Sequence, residues 1–318
     1  MNIRNVSELL ESAKASGNRW TLSIASPHED SVLGAVAEAC RLGFARAMLF
    51  GDREQTAAAA RKAGVDLAGE HFTFVETADE GTTAREAVHC AFSGQADVLV
   101  KGLISTSLLM RTVLHQDTGK REDRFLSHIG VFTGPVSGRL VILTDAGINI
   151  APNVQRKFQI VKNAVAVAHM LGIAKPKVAM LAAVETLNYP AMPATLEAAL
   201  VARIAASALP DAVVEGPFAL DNVVSSSAAD KKKVGGAVAG HADILVGPDI
   251  ESANILYKAL QTFCQVTFAS VVVGASKPIA TPSRVDSLET KLMSIALACL
   301  LSGEPCKTSS SSTAAPPR

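Results

Sequence analysis

The stretch "TPSRVDSLETKLMSIALACL", residues 281–300, sets a serine and an arginine just ahead of an apolar helix. A helix N-terminus already offers unpaired N–H groups and partial positive charge to an anion. Arg284 adds a planar, permanently charged fork that can hold two phosphate oxygens, and Ser283 adds a hydroxyl donor. The pair suits an oxyanion. The alternative is a surface ion pair of Arg284 with Asp286 or Glu289, which contributes little. Asp286-x-x-Glu289 has the form of a capping box, with Asp286 accepting from an amide and Glu289 reaching back. Leu288, Leu292, Ile295, Ala296 and Cys299 fall on one face of the helix that follows.

Other polar groups stand where apolar runs end and helical runs begin. Lys101-Gly102 closes one run and precedes "ISTS"; Asp145-Ala-Gly-Ile-Asn149 closes another. Glu215-Gly216-Pro217 with Asp221-Asn222 follows a third, and Pro248-Asp249-Ile250-Glu251 a fourth. In doubly wound sheets that edge binds ligands. Helix capping accounts for each of these residues singly; their recurrence at one kind of edge points to a site. Several motifs are missing. No G-x-G-x-x-G follows a strand, and "GGAVAGHAD" (235–243) lacks the Lys and Ser/Thr of a phosphate loop. There is no G-x-S-x-G elbow and no H-E-x-x-H. His28-Glu29-Asp30 reads as a helix start, and no metal site is expected. The five cysteines (40, 90, 264, 299, 306) show no C-x-x-C pair. Three sit in apolar runs, as buried reduced thiols do.

Short β-rich runs alternate with helical ones along most of the chain. "TLSIAS" precedes a helix around Val32–Cys40, "ARAMLFGD" an alanine-rich one, "HFTFVET" leads to "TTAREAVHCAF", and "ADVLVKG" to "STSLLMRTVLHQ". Strand and helix in turn imply parallel strands with right-handed crossovers. Gly134-Pro135-Val136-Ser137-Gly138 breaks the rhythm and reads as the turn of an antiparallel hairpin. A long helix (Val154 to Leu171) follows, and the alternation resumes in "KVAMLAAVE", "AVVEGPFAL", "ADILVGPD" and "VTFASVVVGA". With 318 residues, 48% of them hydrophobic, the chain can bury two cores. The expected division is a discontinuous first domain (1–147 plus 282–302), a second (148–281) and a disordered tail (303–318). Lys and Arg number 30, as do Asp and Glu. That balance gives no general pull toward nucleic acid or membrane, so any anion site must be local. Without a signal pattern or a membrane-length apolar run, a soluble cytoplasmic protein is expected.

Seven segments, in order over most of residues 90–301, resemble the phosphate acetyl/butyryl transferases. They are "VKGLISTSLLMRTVL", "SHIGVF", "VILTDAGINIAPN", "AAVETLNYPAMPAT", "EGPFALDNVVS", "GHADILVGPDIESANILYKAL" and "TPSRVDSLETKLMSIALA". "KGL-ST", "TDA-INIAPN" and "SR-DS-ETK" bring the chain nearer the butyryl branch than the acetyl branch. The resemblance implies an α/β fold related to isocitrate and isopropylmalate dehydrogenases. Such a fold has two α/β/α domains with a cleft between them, in a homodimer or larger homo-oligomer. It also implies the reaction acyl-CoA + phosphate = acyl phosphate + CoA on a butyryl or acetyl group. Coenzyme A thioester and inorganic phosphate are then substrates, with no tightly bound cofactor.

In the acetyl branch a serine–arginine pair before the last helix binds the reacting groups, and Ser283-Arg284 matches it. An aspartate seven residues after that serine acts there as base for the CoA thiol. Here that position is Thr290, with Glu289 beside it, so Glu289 becomes the candidate base and its assignment stays open. With both substrates in one cleft, direct attack needs no covalent enzyme intermediate. A thiol of pKa near ~8.5 needs a base or a positive field. Arg284 would hold phosphate and the developing negative charge, with Ser283 donating to the same group. Lys101, Thr106 and Arg111 border one strand end as further charges or donors. Asp145 and Asn149 are expected on the cleft floor, and Ser127 and His128, from a matched segment, facing it. Two other readings stand beside this one. An NAD(P)-dependent dehydrogenase of the same fold would need an aspartate cluster for metal, which the sequence lacks. A non-catalytic CoA- or phosphate-binding module has the missing aspartate in its favour.

Overall fold

Alternation of apolar strands with capped helices builds the first hundred residues. The computed structural model describes residues 2–117 and 125–303. After α1 (Glu8–Ala15) come β1 (Trp20–Ala25), α2 (Asp30–Arg41), β2 (Ala45–Gly51), α3 (Arg53–Ala63), β3 (Phe72–Glu76), α4 (Glu80–Phe92), β4 (Val98–Lys101) and α5 (Thr106–Asp117). Asp52 and Asp79 cap α3 and α4 by accepting from the amides of Gln55 and Thr82. β1 and β4 are buried along their whole length, as the continuous apolar runs of a covered parallel sheet require.

The glycine-flanked turn at 134–138 joins β5 (Ser127–Thr133) and β6 (Leu140–Thr144) into the expected antiparallel hairpin. Gly138 has φ +66°, in the region glycine adopts most easily, and its amide donates to the Gly134 carbonyl at 2.8 Å. Next come α6 (Val154–Met170), β7 (Lys177–Leu181), α7 (Pro193–Ala208), β8 (Val213–Phe218), α8 (Leu220–Val224), α9 (Ser226–Lys232) and β9 (Ile244–Val246). The chain closes with α10 (Ile250–Phe263), β10 (Phe268–Val273), the two-residue β11 (Ile279–Ala280) and α11 (Leu288–Ser302).

All eleven strands form one sheet, in the order β3-β2-β1-β4-β11-β10-β5-β6-β9-β7-β8. Each half is parallel within itself, as alternation predicts. The centre departs from that expectation: β10 is antiparallel to both β11 and β5, and β5 is antiparallel to β6. The two parallel halves consequently run in opposite senses. Hydrogen bonding is continuous across residues 147/148, since β6 pairs with β9 and β10 with β5.

α11 packs against α1, α2 and β10. The one-faced apolar pattern expected for it is corrected: every residue from Thr290 to Cys299 is buried, while Leu288 is 44% exposed. A helix apolar nearly all round belongs in a core rather than at a surface. Its last turn leads to Gly303, whose carbonyl accepts from Trp20 Nε1 at 2.7 Å. The rest of the expected tail, 304–318, with Cys306, lies outside the described residues. Among the described residues no helix is long and apolar enough to cross a membrane.

Candidate functional site

Where the two halves of the sheet meet, a cleft of about 410 Å³ opens over the central strands. Register and alternation set its floor. Val272 pairs with His128 on β5 and with Ile279 on β11, and Ser270 lies two residues along β10 on the same face. One residue beyond β11, the Thr281 amide donates to the Ser270 carbonyl at 3.4 Å. Lys101 stands one residue past the Ala280–Val100 pair at the carboxyl end of β4. The carboxyl ends of β4 and β6 thus approach from opposite directions. The sequence reading places the candidate groups at strand ends; the cleft takes in two of those ends, Lys101 after β4 and residues 146–148 after β6, which meet over the sheet's middle because the antiparallel centre reverses one half.

Close backbone contact holds the β4 end in place. A Cβ on Gly102 would lie 2.1 Å from the Ser26 carbonyl oxygen, so only glycine lets the chain pass β1 there. The turn brings Ser105 and Thr106, at the start of α5, to the cleft wall. Ser105 Oγ accepts from the Leu108 amide at 3.4 Å, which marks this end of the helix. Opposite lie Asn254, Tyr257 and Lys258 of α10. Tyr257 donates or accepts at Ser270 Oγ (2.9 Å) and stacks against Phe268 at 4.1 Å between centroids.

Ser283 and Arg284 complete the wall, held from two sides by buried charge. The Ser283 amide donates to Asp286 Oδ2 at 2.7 Å, and Asp286 Oδ1 accepts from Gln261 Nε2 at 2.7 Å. From beneath, Lys291 Nζ donates to the carbonyls of Ser283 (2.7 Å) and Arg284 (3.3 Å) and pairs with Glu29 at 3.2 Å. Lys291 is 1% exposed. A buried ammonium persists only with such partners. The proposed capping box is therefore overturned. Asp286 is occupied by the turn, and Ser287 caps α11 by accepting from the Thr290 amide at 3.2 Å. The first turn of α11 does not line the cleft; Ser105 and Thr106, at the start of α5, do.

Electrostatically the cleft is one-sided. Among the described residues its lining includes Lys101, Lys258 and Arg284 and no carboxylate. Burial, followed by repulsion from Arg284, with Lys291 adding to it against the attraction of Glu29, holds the Lys101 pKa below the ordinary lysine value. An anion bound there would relieve that repulsion. His128 lines the same cleft, and burial likewise holds its pKa below the usual imidazole value.

Of the residues singled out by sequence, Lys101, Thr106, His128, Ser283 and Arg284 come together here. The others do not. Glu289 is exposed and lines a different depression, with Gly34, Glu38 and Arg41 of α2, because the helix turns it away from buried Thr290 and Lys291. This removes it as a base for chemistry in the cleft. Arg111 is exposed on α5 outside the lining. Ser127 is fully buried, and its Oγ accepts from Asn163 Nδ2 of α6 at 2.9 Å. Asp145 is buried beneath the cleft: its Oδ1 accepts from the amides of Gly147 (3.0 Å) and Ile148 (2.9 Å), and Asn149 Nδ2 donates to its Oδ2 at 2.6 Å. Asp145 and Asn149 shape the 146–148 loop rather than face a substrate.

Lys291 and Tyr257 were given no role by the sequence, and Glu29 only that of a helix start, where it does stand, at the N-cap of α2. A lone lysine inside "TKLMSIALACL" was the available signal for the first. The capping explanation holds elsewhere. Asp249 caps α10, and Glu215 accepts from the amides of Ala237 (3.1 Å) and Val238 (3.0 Å), filling the glycine loop that resembled a phosphate cradle. Burial pushes the Cys40 and Cys90 thiols up to about 12 and about 11, far from nucleophilic thiolates. Among the described residues no three His, Cys, Asp or Glu side chains are grouped to hold a metal ion.

Residues 77–299 match the family described as "Phosphate acetyl/butaryl transferase". A phosphate butyryltransferase from Clostridium beijerinckii is 40% identical over 299 residues, 94% of this chain and 98% of that protein. A phosphate acetyltransferase from Thermotoga maritima is 37% identical over 294 residues, 92% and 98% of the two chains. The crystal structure of a branched-chain phosphotransacylase from Enterococcus faecalis superposes with a TM-score of 0.79 at 33% identity, covering 90% of this chain and 99% of that one.

Proposed function

The chain belongs to the phosphate acetyl/butaryl transferase family, and from that premise we propose that it exchanges a short acyl group, butyryl before acetyl, between coenzyme A and inorganic phosphate. One observation carries the reading at the level of the site. In a chain with 30 basic and 30 acidic residues, the described lining of this cleft holds three cations and no carboxylate. Both substrates and the acyl phosphate product are polyanions, and the low-dielectric walls strengthen each contact with them.

In this reading the phosphate sits between Arg284, Lys101 and the start of α5 at Thr106, with Ser283 donating to it. Its oxygen attacks the thioester carbonyl and the thiolate leaves. Arg284 and Lys101 stabilise the charge that shifts from phosphate to the tetrahedral oxyanion. Holding both reactants in one cleft removes much of the entropic barrier, so no covalent intermediate is needed. Ile104, Ala146, Ile148 and Val272 give the cleft an apolar side for the acyl chain.

The proposal extends to a cytoplasmic enzyme of two lobes, 1–147 with 282–302 and 148–281, in the manner of isocitrate and isopropylmalate dehydrogenases. No cofactor stays bound between turnovers. A homodimer or larger homo-oligomer is part of the same reading; Leu200 and Ile204, one turn apart on α7, are 43% and 40% exposed and suit a subunit contact.

The test is direct. Incubated with butyryl-CoA, the protein is expected to release free thiol only when phosphate is present, and absence of that phosphate-dependent release would end the proposal. Acetyl-, propionyl- and longer acyl-CoAs run alongside should differ by no more than about 1–3 kcal/mol per methylene, the range an apolar pocket supplies.

A further inference from the structure

Removing Glu289 from the cleft leaves the thiol without an assigned proton acceptor. Its sequence neighbour Thr290, at the position of the acetyl-branch aspartate, is buried and shares a contact of 3.1 Å with Ser287 Oγ. Among the described residues the cleft lining contains only one group that is both uncharged near neutrality and able to accept a proton, and it comes from β5.

We infer that His128 takes the proton of the coenzyme A thiol when acyl phosphate is the acyl donor, and returns it to the thiolate in the opposite direction. The inference rests on the acyl-transfer reading above and deepens it.

The position of the ring argues for this role. A Cβ on Gly147 would lie 3.3 Å from both Cγ and Cδ2 of His128, so the 146–148 loop lies against that edge. Nδ1 is buried and has no hydrogen-bond partner. The residue is nevertheless partly exposed and lines the cleft, which leaves the Cε1–Nε2 edge open to substrate. Tyr257 meets the ring edge-on at 5.8 Å between centroids. An imidazole with no side-chain partner is free to use its ring in chemistry, whereas a structural histidine is normally tied down.

The charges facing His128 come from three elements. Asp145, after β6, and Asp286, before α11, favour positive charge on the ring, and Lys258 of α10 opposes it. Burial outweighs these and keeps the ring neutral in the free enzyme, with its pKa below the usual imidazole value. A neutral ring can accept a proton, and the two carboxylates then stabilise the imidazolium that results.

The step balances. The S–H bond breaks and its proton passes to Nε2. The sulfur electron pair forms the C–S bond, and the C–O bond to phosphate breaks with its electron pair going to the phosphate, held by Arg284 and Lys101. That phosphate takes the proton from the imidazolium and leaves as monohydrogen phosphate, with the ring neutral again. In the reverse sense the neutral ring takes the proton of the attacking monohydrogen phosphate, and the imidazolium so formed protonates the departing thiolate.

The experiment follows acyl phosphate plus coenzyme A across pH 5–9 in wild type and H128Q, with coenzyme A affinity and thermal melting measured for both. At pH 7 the variant should lose roughly 10²–10⁴-fold in rate, the usual contribution of a positioned base. The deficit should shrink as pH approaches the thiol's own pKa of about 8.5, where the thiolate forms unaided. Since the base must be unprotonated, the wild-type rate should fall only below about pH 6.5, and H128Q should lack that limb. A loss of less than a few-fold at pH 7, or one of equal size at every pH, overturns the assignment. Should H128Q fail to fold, the wild-type profile and H128N decide between the same outcomes. A wild-type profile with no acidic limb refutes the role. A wild-type protein that transfers no acyl group at all refutes the function reading instead, so the two failures are distinguishable.

Discussion

Arg284→Ala is expected to lower kcat/KM for acyl transfer at least ~100-fold, the scale for removing one key group aimed at developing charge. The guanidinium lines the cleft on a turn whose amide and carbonyls are held by Asp286 and Lys291, which fixes where the exposed Arg284 side chain starts from. A held backbone limits the reorganisation needed to bring that charge onto the reacting anion. Arg284→Lys should recover only part of the loss, because an ammonium keeps the charge and loses the planar fork. Steady-state rates with butyryl-CoA and varied phosphate are the measurement. Near-normal turnover by the alanine variant would remove Arg284 from the chemistry.

Lys291→Met should destabilise the fold by about 3–5 kcal/mol, the cost of breaking a buried ion pair by removing one partner. Glu29, at the N-cap of α2, would keep its charge beside an apolar side chain, and the carbonyls of Ser283 and Arg284 would lose their donor. Urea unfolding reads the first effect and a raised KM for phosphate the second. Glu29→Gln combined with Lys291→Met should regain much of the stability, since both charges then leave together. The loosened turn should persist in that double variant. An unfolding midpoint for K291M equal to that of wild type would show that the pair carries no such load.

The hairpin, the long helix α6 and the alternation within each half of the sheet were legible because their causes are local. Gly134 to Gly138 carry the turn in their own backbone preferences, and the strands of each half show the apolar runs of buried parallel pairing. The reversed centre was not legible. β11 is two residues long, too short to leave a period, and its antiparallel partner β10 looks like any buried strand. The cap of α11 illustrates a closer failure. Asp286 and Ser287 are both good capping residues, and the choice between them is made by Gln261 and the Ser283 amide, which lie outside the helix and claim Asp286.

Residue types at fixed spacing were enough to identify the serine–arginine doorway, the lysine closing β4 and the family to which the chain belongs. Those signals are carried by contiguous residues and survive without knowledge of the fold. Which carboxylates stay out of the cleft, which lysine braces it from below, and that a histidine stands with an idle ring nitrogen were decided by the tertiary structure alone. A helix turns about 100° per residue, so Glu289 and Lys291, two positions apart, end on opposite sides of α11, one exposed and one buried. That rotation is fixed by what α11 packs against: α1 and α2 from the far end of the chain, and β10.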